Sequence, residues 1–351
     1  MDHEDQSGKG LQRPSGATSQ FAARCHSLLL GVGHAAAWSV ALFLVAMVFL
    51  RIFWFDGTIL LVYFNTFTLY FYLPAYACLL WAWKFRRPML AAISLVPIFC
   101  QAWLIISVLF LPADGLQQTT VAGHAANIAD QERVRIFFAN VCSVNRQIGP
   151  MLEEIAAADP DIVLLAEFSH PWQQAMGRAE FMEKYPYSYK TANYGGNANG
   201  IFSRFPIKLR KSVSAQLSRS ITVGVDVDGK ILHVLELHAP HLVFSRTEPY
   251  FKFWRRCQKV VSELPRPLVV IGDFNATQFS AAYDQMTSGD LRGAHVDRGR
   301  GMATTWPNGK FWIPPIRIDH ALLSPQVQCL SIVEGRGEGS DHRPLILDIS
   351  F

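Results

Sequence analysis

Residues 268–277 read LVVIGDFNAT: an apolar run, a glycine, then Asp273 and Asn275 on either side of Phe274. A short apolar run ending in Gly-Asp reads as a buried strand passing into a turn, so the carboxylate and the amide emerge at the rim of a sheet. The same phrase recurs along the chain. Asn140 follows RIFFA, Glu167 follows DIVLLA, His238 follows VLEL, Asp319 sits in RIDH and Asp341-His342 in GSDH. One sheet rim could gather all eight groups.

Outward from that stretch, 134–141, 162–166, 200–203, 221–227, 231–237, 268–271, 318–323 and 345–349 read as strands, and 148–158, 172–184 and 247–264 as helices. Asp228-Gly229 between two alternating apolar runs signals a hairpin. Thr247 caps its helix with Pro249 in the first turn, and Asp159-Pro160 ends another. Strands outnumber helices and are partly hairpin-linked. An α/β (α+β) sandwich of two sheets with helices outside therefore fits better than a doubly wound sheet. No internal repeat, glycine-rich phosphate loop or GxSxG elbow is present.

These elements fill only the last 220 or so of 351 residues, and the averages of +4 charge, 50% hydrophobic and 17% charged conceal two different halves. Between residues 27 and 83 the only formal charges are Arg51 and Asp56, and between 88 and 113 there are none. A hydrocarbon slab about 30 Å thick takes about 20 helical residues per crossing, and helices satisfy their own backbone there. Spans are expected at 27–50, 57–83 and 89–111, kinked at Pro74 and Pro97. A cleaved signal peptide is the alternative for the first, with Ala35-Ala36-Ala37 resembling a processing site. His34, Asn65 and Gln101 read as helix–helix hydrogen-bond partners, and the spans as an anchor rather than a transporter.

Lys9, Arg13 and Arg24 precede the first span and Lys84, Arg86 and Arg87 follow the second, against Arg51 alone on the opposite side. The positive-inside rule then puts the N-terminus in the cytoplasm and the C-terminal part in the periplasm of a bacterial inner membrane. The organisation expected is a tail over 1–26, a three-helix membrane region over 27–112, a linker over 113–131 and a soluble domain over 132–351. This composition excludes a wholly soluble protein, a disordered chain, collagen and a small disulfide scaffold. Cys142, Cys257 and Cys329 lack CxxC spacing, which argues against zinc and against a paired disulfide framework.

Taken in order, ANV (139–141), DIVLLAE (161–167), NGIFSRFPI (199–207), ELHAP (236–240), GDFNAT (272–277), RIDHALLS (317–324) and GSDHRPL (339–345) resemble the endonuclease/exonuclease/phosphatase superfamily, the DNase I-like metal-dependent phosphodiesterases. The resemblance covers about residues 132–351 and none of the apolar half. It implies a DNase I-like two-sheet sandwich flanked by helices, here preceded by three transmembrane helices. Cys142 departs from the pattern, because many relatives place a second acidic or amide ligand there.

A phosphodiester anion repels nucleophiles, and a hard dication offsets that charge. Mg²⁺, or Mn²⁺ in its place, binds through one or two carboxylates and keeps several waters, so Glu167 helped by Asn140 or Asp341 is a sufficient anchor. The closely spaced His and Cys that zinc would want are absent. Asp273 and Asn275 can orient a water, and His342 paired with Asp319 is an oriented base. Which of the two activates the water stays open. His238 would donate to a phosphoryl oxygen or the leaving group. Asn199 joins Asn275 and His238 as a candidate substrate contact, although it and Arg204 read first as supports of the turn at Gly200. His233, His241, His295 and His320 read as bystanders. Trp306 and Trp312 bracket the loop leading to Asp319 and could touch substrate.

Residues 132–351 carry 25 Lys/Arg against 22 Asp/Glu and no long basic stripe, a modest balance for a duplex-DNA binder. The expectation is a membrane-anchored, Mg²⁺-dependent phosphodiesterase, with nuclease the broad label and phospholipid or small phosphodiester hydrolysis the runner-up. A non-catalytic membrane receptor on the same fold would have lost a main polar group, and all are present. The bilayer and a phosphodiester are the partners expected; no protein partner is legible.

Overall fold

The central strands are apolar on both faces because each face is covered. The computed structural model describes residues 16–109, 133–191, 198–212, 217, 219–241 and 247–351, so the expected linker lies outside the described residues. The strands are β1 (Val134–Asn140), β2 (Ile162–Ala166), β3 (Tyr187–Lys190), β4 (Gly200–Ser203), β5 (Ile207–Ser212), β6 (Ile221–Val227), β7 (Lys230–His238), β8 (Leu268–Asp273), β9 (Arg292–Gly293), β10 (Asp319–Leu323), β11 (Gln328–Glu334) and β12 (Leu345–Ser350). The helices are α1 (Gly16–Phe53), α2 (Ile59–Thr66), α3 (Thr68–Phe71), α4 (Pro74–Lys84), α5 (Pro88–Leu109), α6 (Ile148–Ala158), α7 (His170–Met176), α8 (Ala179–Lys184), α9 (Thr247–Glu263), α10 (Ala281–Thr287) and α11 (Ala294–Asp297).

Two six-stranded sheets form, ordered β11-β12-β1-β2-β4-β3 and β5-β6-β7-β8-β10-β9. Alternate side chains of β1 and β2, such as Ile136, Phe138 and Leu164, meet Val223, Val234 and Ile271 of the other sheet in a buried core. The intervening side chains point outward. Phe137 and Leu165 pack under Met151 and Ile155 of α6 and Trp172 of α7, while Leu235 and Val270 pack under Trp254 and Cys257 of α9. The result is the expected sandwich between helices.

Register decides where the strands end. β1 and β2 are parallel with Asn140 opposite Ala166, and β7 and β8 are parallel with His238 opposite Asp273. β10 begins where β8 stops, Asp319 opposite Asp273, and β12 begins opposite Phe138. Four C-terminal and two N-terminal strand ends thus share one rim.

The structure departs from expectation at the sheet edges, in one helix, and in the short helices α10 and α11, which were not expected. β3, β5, β9 and β11 were not legible, because edge strands are short or carry polar side chains that erase the apolar alternation. The helix expected over 172–184 breaks at Gly177 into α7 and α8.

The chain divides into two units, one containing the described residues up to Phe49 with Tyr72–Phe99, the other Leu50–Phe71 with Cys100–Phe351. Within the first, Trp81 Nε1 donates to His34 Nδ1 at 2.8 Å. Gln20–Phe53 and Pro88–Leu109 are long and apolar enough to cross a membrane. The expected middle span is instead bent by 82° between Ile59–Thr66 and Thr68–Lys84, so it makes a third crossing only if the bent pair counts as one.

Candidate active site

Asp273 is where the rim converges. Gly272 precedes it, and a Cβ there would lie 1.8 Å from the Leu237 carbonyl oxygen, so only glycine lets β8 approach β7 at this point. The Asp273 carboxylate then collects donors from three directions. Asn275 N–H donates to Oδ1 at 2.8 Å, while Asn140 Nδ2 and Asn275 Nδ2 donate to Oδ2 at 3.1 and 3.2 Å. Asn275 also holds the Ala239 carbonyl at 3.0 Å, which ties the turn to the end of β7. Asn275, Glu167 and Cys142 have φ of 46°, 56° and 55°, a left-handed conformation uncommon outside glycine. Three such residues in one site indicate a backbone bent to aim side chains.

The remaining groups surround Asp273. His342 Nδ1 lies 2.9 Å from Asp319 Oδ2, and its Nε2 is 3.8 Å from Asp273 Oδ2. His238 Nε2 lies 4.0 Å from both Asp273 Oδ2 and Glu167 Oε1. Glu167 accepts from Asn140 Nδ2 at 3.2 Å and from the Ser143 N–H at 2.9 Å. Glu167, Asp273 and His342 therefore point into one region, together with Asp341 and Asn275, around a cavity of about 420 Å³. Asn140, His238 and Asp319 are almost wholly buried behind it.

Burial and charge sort the protonation states. Burial alone would lower the His342 pKa, but the carboxylates of Asp319 and Asp273 more than compensate and lift it to about 10. Burial pushes the Asp273 carboxyl up, with His342 acting against it. Burial also opposes ionisation of Glu167, yet the Ser143 N–H, His238 and Asn140 hold its pKa below the ordinary value. His238 goes the other way, its pKa lowered by burial against the pull of Asp273 and Glu167. The site thus offers an ionised carboxylate facing the cavity, a cationic ring paired to a carboxylate, and a neutral ring.

That donor set suits a hard cation. Glu167 and Asp341 present oxygen ligands to the cavity with room for waters, as Mg²⁺ requires. Cys142 also lines it, but burial and the nearby Asp341 raise its pKa and keep it a thiol. Asp273, Asp319 and His342 form a second buried cluster close enough to share an ion. The hydrogen bond between His342 Nδ1 and Asp319 argues that this trio is a proton-holding pair beside Asp273 instead. Asn140 departs from its expected part: its oxygen accepts from the Cys142 N–H at 3.0 Å and its nitrogen faces the two carboxylates, so in this orientation it bridges Glu167 and Asp273.

Asn199 is also corrected. It is fully buried, and its amide nitrogen donates to the Arg219 carbonyl and to Glu236, so it stands beneath the rim and away from the cavity wall. Glu236 itself was missed. Burial raises its pKa well above the ordinary value, and its alternation with His238 along β7 was the available signal. His241, expected to be a bystander, lines the cavity, as does Trp306, whereas Trp312 is 67% exposed. Tyr63, Thr66 and Phe67, from the apolar half, line it as well.

Residues 137–342 match the model of the Endonuclease/Exonuclease/phosphatase family. Among solved structures, TDP2 of D. rerio complexed with a single-strand DNA product is 18% identical, covering 63% of this chain and 100% of that one at a TM-score of 0.54. A truncated TDP2 of Caenorhabditis elegans is 15% identical, covering 62% of this chain and 98% of that one at 0.50. At such identities the likeness is one of fold. No curated protein matches the chain.

Proposed function

The chain belongs to the endonuclease/exonuclease/phosphatase family, and from that premise we propose that it is a membrane-anchored, Mg²⁺-dependent hydrolase of phosphodiesters. The observation that carries this is the position of Asp273, linked through Asn140 to Glu167 and standing within 4.0 Å of both His238 and His342.

Glu167, with Asp341, would hold the metal, which when bound supplies positive charge against the phosphate oxygens. Asp273 accepts the proton of the attacking water, and Asn275 orients that water. Asp319 fixes the His342 ring so that Nε2–H donates to a phosphoryl oxygen, and neutral His238 donates beside it. Water oxygen bonds to phosphorus, one P–O ester bond breaks with its electron pair on the departing oxygen, and that oxygen takes up a proton. The products are an alcohol and a phosphate monoester. The balance of Lys and Arg supports a cytoplasmic N-terminus, and an extracytoplasmic site in a bacterial inner membrane follows when the bent pair completes the third crossing. Nucleic acids, lipids and small phosphodiesters are the substrates this chemistry admits.

Full-length protein in detergent should hydrolyse bis-p-nitrophenyl phosphate with Mg²⁺ or Mn²⁺ and lose that activity in EDTA. Equal turnover in EDTA would reject the metal.

A further inference from the structure

Arg51 and Asp56, the two formal charges of residues 27–83, both engage the unit that holds the cavity. Arg51 Nη2 donates to the Phe279 carbonyl at 3.0 Å and Nη1 to Asn65 Oδ1 at 2.5 Å. Asn65 Nδ2 donates to Asp56 Oδ1 at 2.6 Å, and Asp56 Oδ2 accepts from the Ala281 N–H at 2.6 Å. Asn65, expected to join two membrane helices, is the middle link of a clip. Buried polar groups that are all satisfied fix one arrangement over its alternatives. Val62 of α2 is 2% exposed in the same apolar cluster as Trp254 and Phe274, and Tyr70 of α3 donates to the Pro315 carbonyl at 2.6 Å.

The clip has a consequence for chemistry. It sets Tyr63, Thr66 and Phe67 as one wall of the cavity whose other wall carries Glu167, Asp273 and His342. Residues 57–71 contain no Lys or Arg, so this wall offers no cationic side chain to the flanking phosphates of a nucleic acid. It suits a ligand with one phosphate and an apolar body. The last residues of both membrane-length helices, 50–53 and 100–109, are themselves part of this unit. Leu50–Phe53 close the first, and the Val108 carbonyl of the second lies 2.0 Å from where a Cβ on Gly301 would be. The loop between Trp306 and Ile316, both lining the cavity, carries Phe311 and Trp312, 94% and 67% exposed. Trp is enriched at membrane–water interfaces, and an exposed Trp312 fits such a place.

We propose that the bent segment 59–71 is a substrate-binding wall and that the site hydrolyses phosphodiester lipids presented by the bilayer. The headgroup phosphate lies among Glu167, Asp273 and His342, and the lipid's apolar part lies along Tyr63 and Phe67. The assignment rests on the phosphodiesterase reading above and uses the same bond changes, with the lipid supplying the ester.

Full-length protein reconstituted in vesicles of phosphatidylethanolamine and phosphatidylglycerol with Mg²⁺ tests it, comparing headgroup release with cleavage of bis-p-nitrophenyl phosphate and of a single-stranded oligonucleotide. Vesicle lipid should be preferred over both. Replacing the pair by Tyr63→Ala and Phe67→Ala should reduce that preference by about ten-fold or more, equivalent to about 1.4 kcal/mol of lost aromatic contact. Phe67→Leu should retain most of it. The comparison of substrates on the unaltered protein decides the matter even where the double variant folds poorly. Turnover of bis-p-nitrophenyl phosphate without headgroup release would overturn the lipid assignment and leave the hydrolase standing, and so would preference for the oligonucleotide. An equal fall on lipid and soluble diester would remove the wall's role. Silence on all three substrates would overturn the hydrolase itself and the lipid assignment with it.

Discussion

Individual residues divide into those that aim the site and those that hold the sheet. Asp348, in β12, belongs to the second kind: Arg135 Nε donates to it at 2.7 Å and Ser331 Oγ at 2.6 Å, with Arg133 alongside. Burial opposes its ionisation, but these donors hold its pKa at about 2, below the ordinary 3.8. A depressed carboxylate adds stability above its unfolded pKa and loses it as pH falls through the folded one. Asp348→Asn should therefore cost on the order of 2 kcal/mol at pH 7 and little at pH 2, measured by urea unfolding at the two values. A cost independent of pH would show that the carboxylate charge is not what matters. Among site residues, the polar groups that follow apolar runs were legible because the period of the strand fixes where they emerge. Asn199 misled because its position beside a glycine turn does not say which way its amide points. Glu236 was passed over because one charged residue in an alternating strand reads as solvent-facing, although it shares a strand face with His238.

Elements position these residues through close approach and register. β7 and β8 run parallel with His238 opposite Asp273, and this pairing depends on Gly272. Gly272→Ala would drive a methyl into the Leu237 carbonyl, so β8 must shift. A destabilisation of about 3 kcal/mol, the upper end for overpacking, together with loss of hydrolysis is expected from thermal melts and rate assays. An alanine variant with unchanged stability and rate would contradict the register. The central strands were readable because both faces are buried, whereas β5 and β11 carry Lys, Arg, Gln and Glu and each shows a register shift against its partner, which breaks the period-two pattern. The bend between α2 and α3 was equally hidden. Hydropathy over 57–83 sums to a span, and it takes the bond from the Ala281 N–H of α10 to Asp56, which Asn65 holds in turn, to reveal that the front of it belongs to the catalytic unit.

At the scale of the whole molecule, groups from positions 140 to 342 meet because two sheets stack and present their strand ends together. The order of those groups in the chain was legible; the wall supplied by residues 63–67 was not, since nothing local in an apolar run announces contact with an acidic rim. If the groups act on one ester as a unit, their losses cannot multiply. The direct measurement is the rate of bis-p-nitrophenyl phosphate hydrolysis by full-length Asp273→Ala, His342→Ala and the variant carrying both. Each single change should lower the rate by about 10²–10⁴-fold, and the pair should fall within about ten-fold of the worse single variant. Single losses that multiply in full, or either single variant at the unaltered rate, would contradict a shared site.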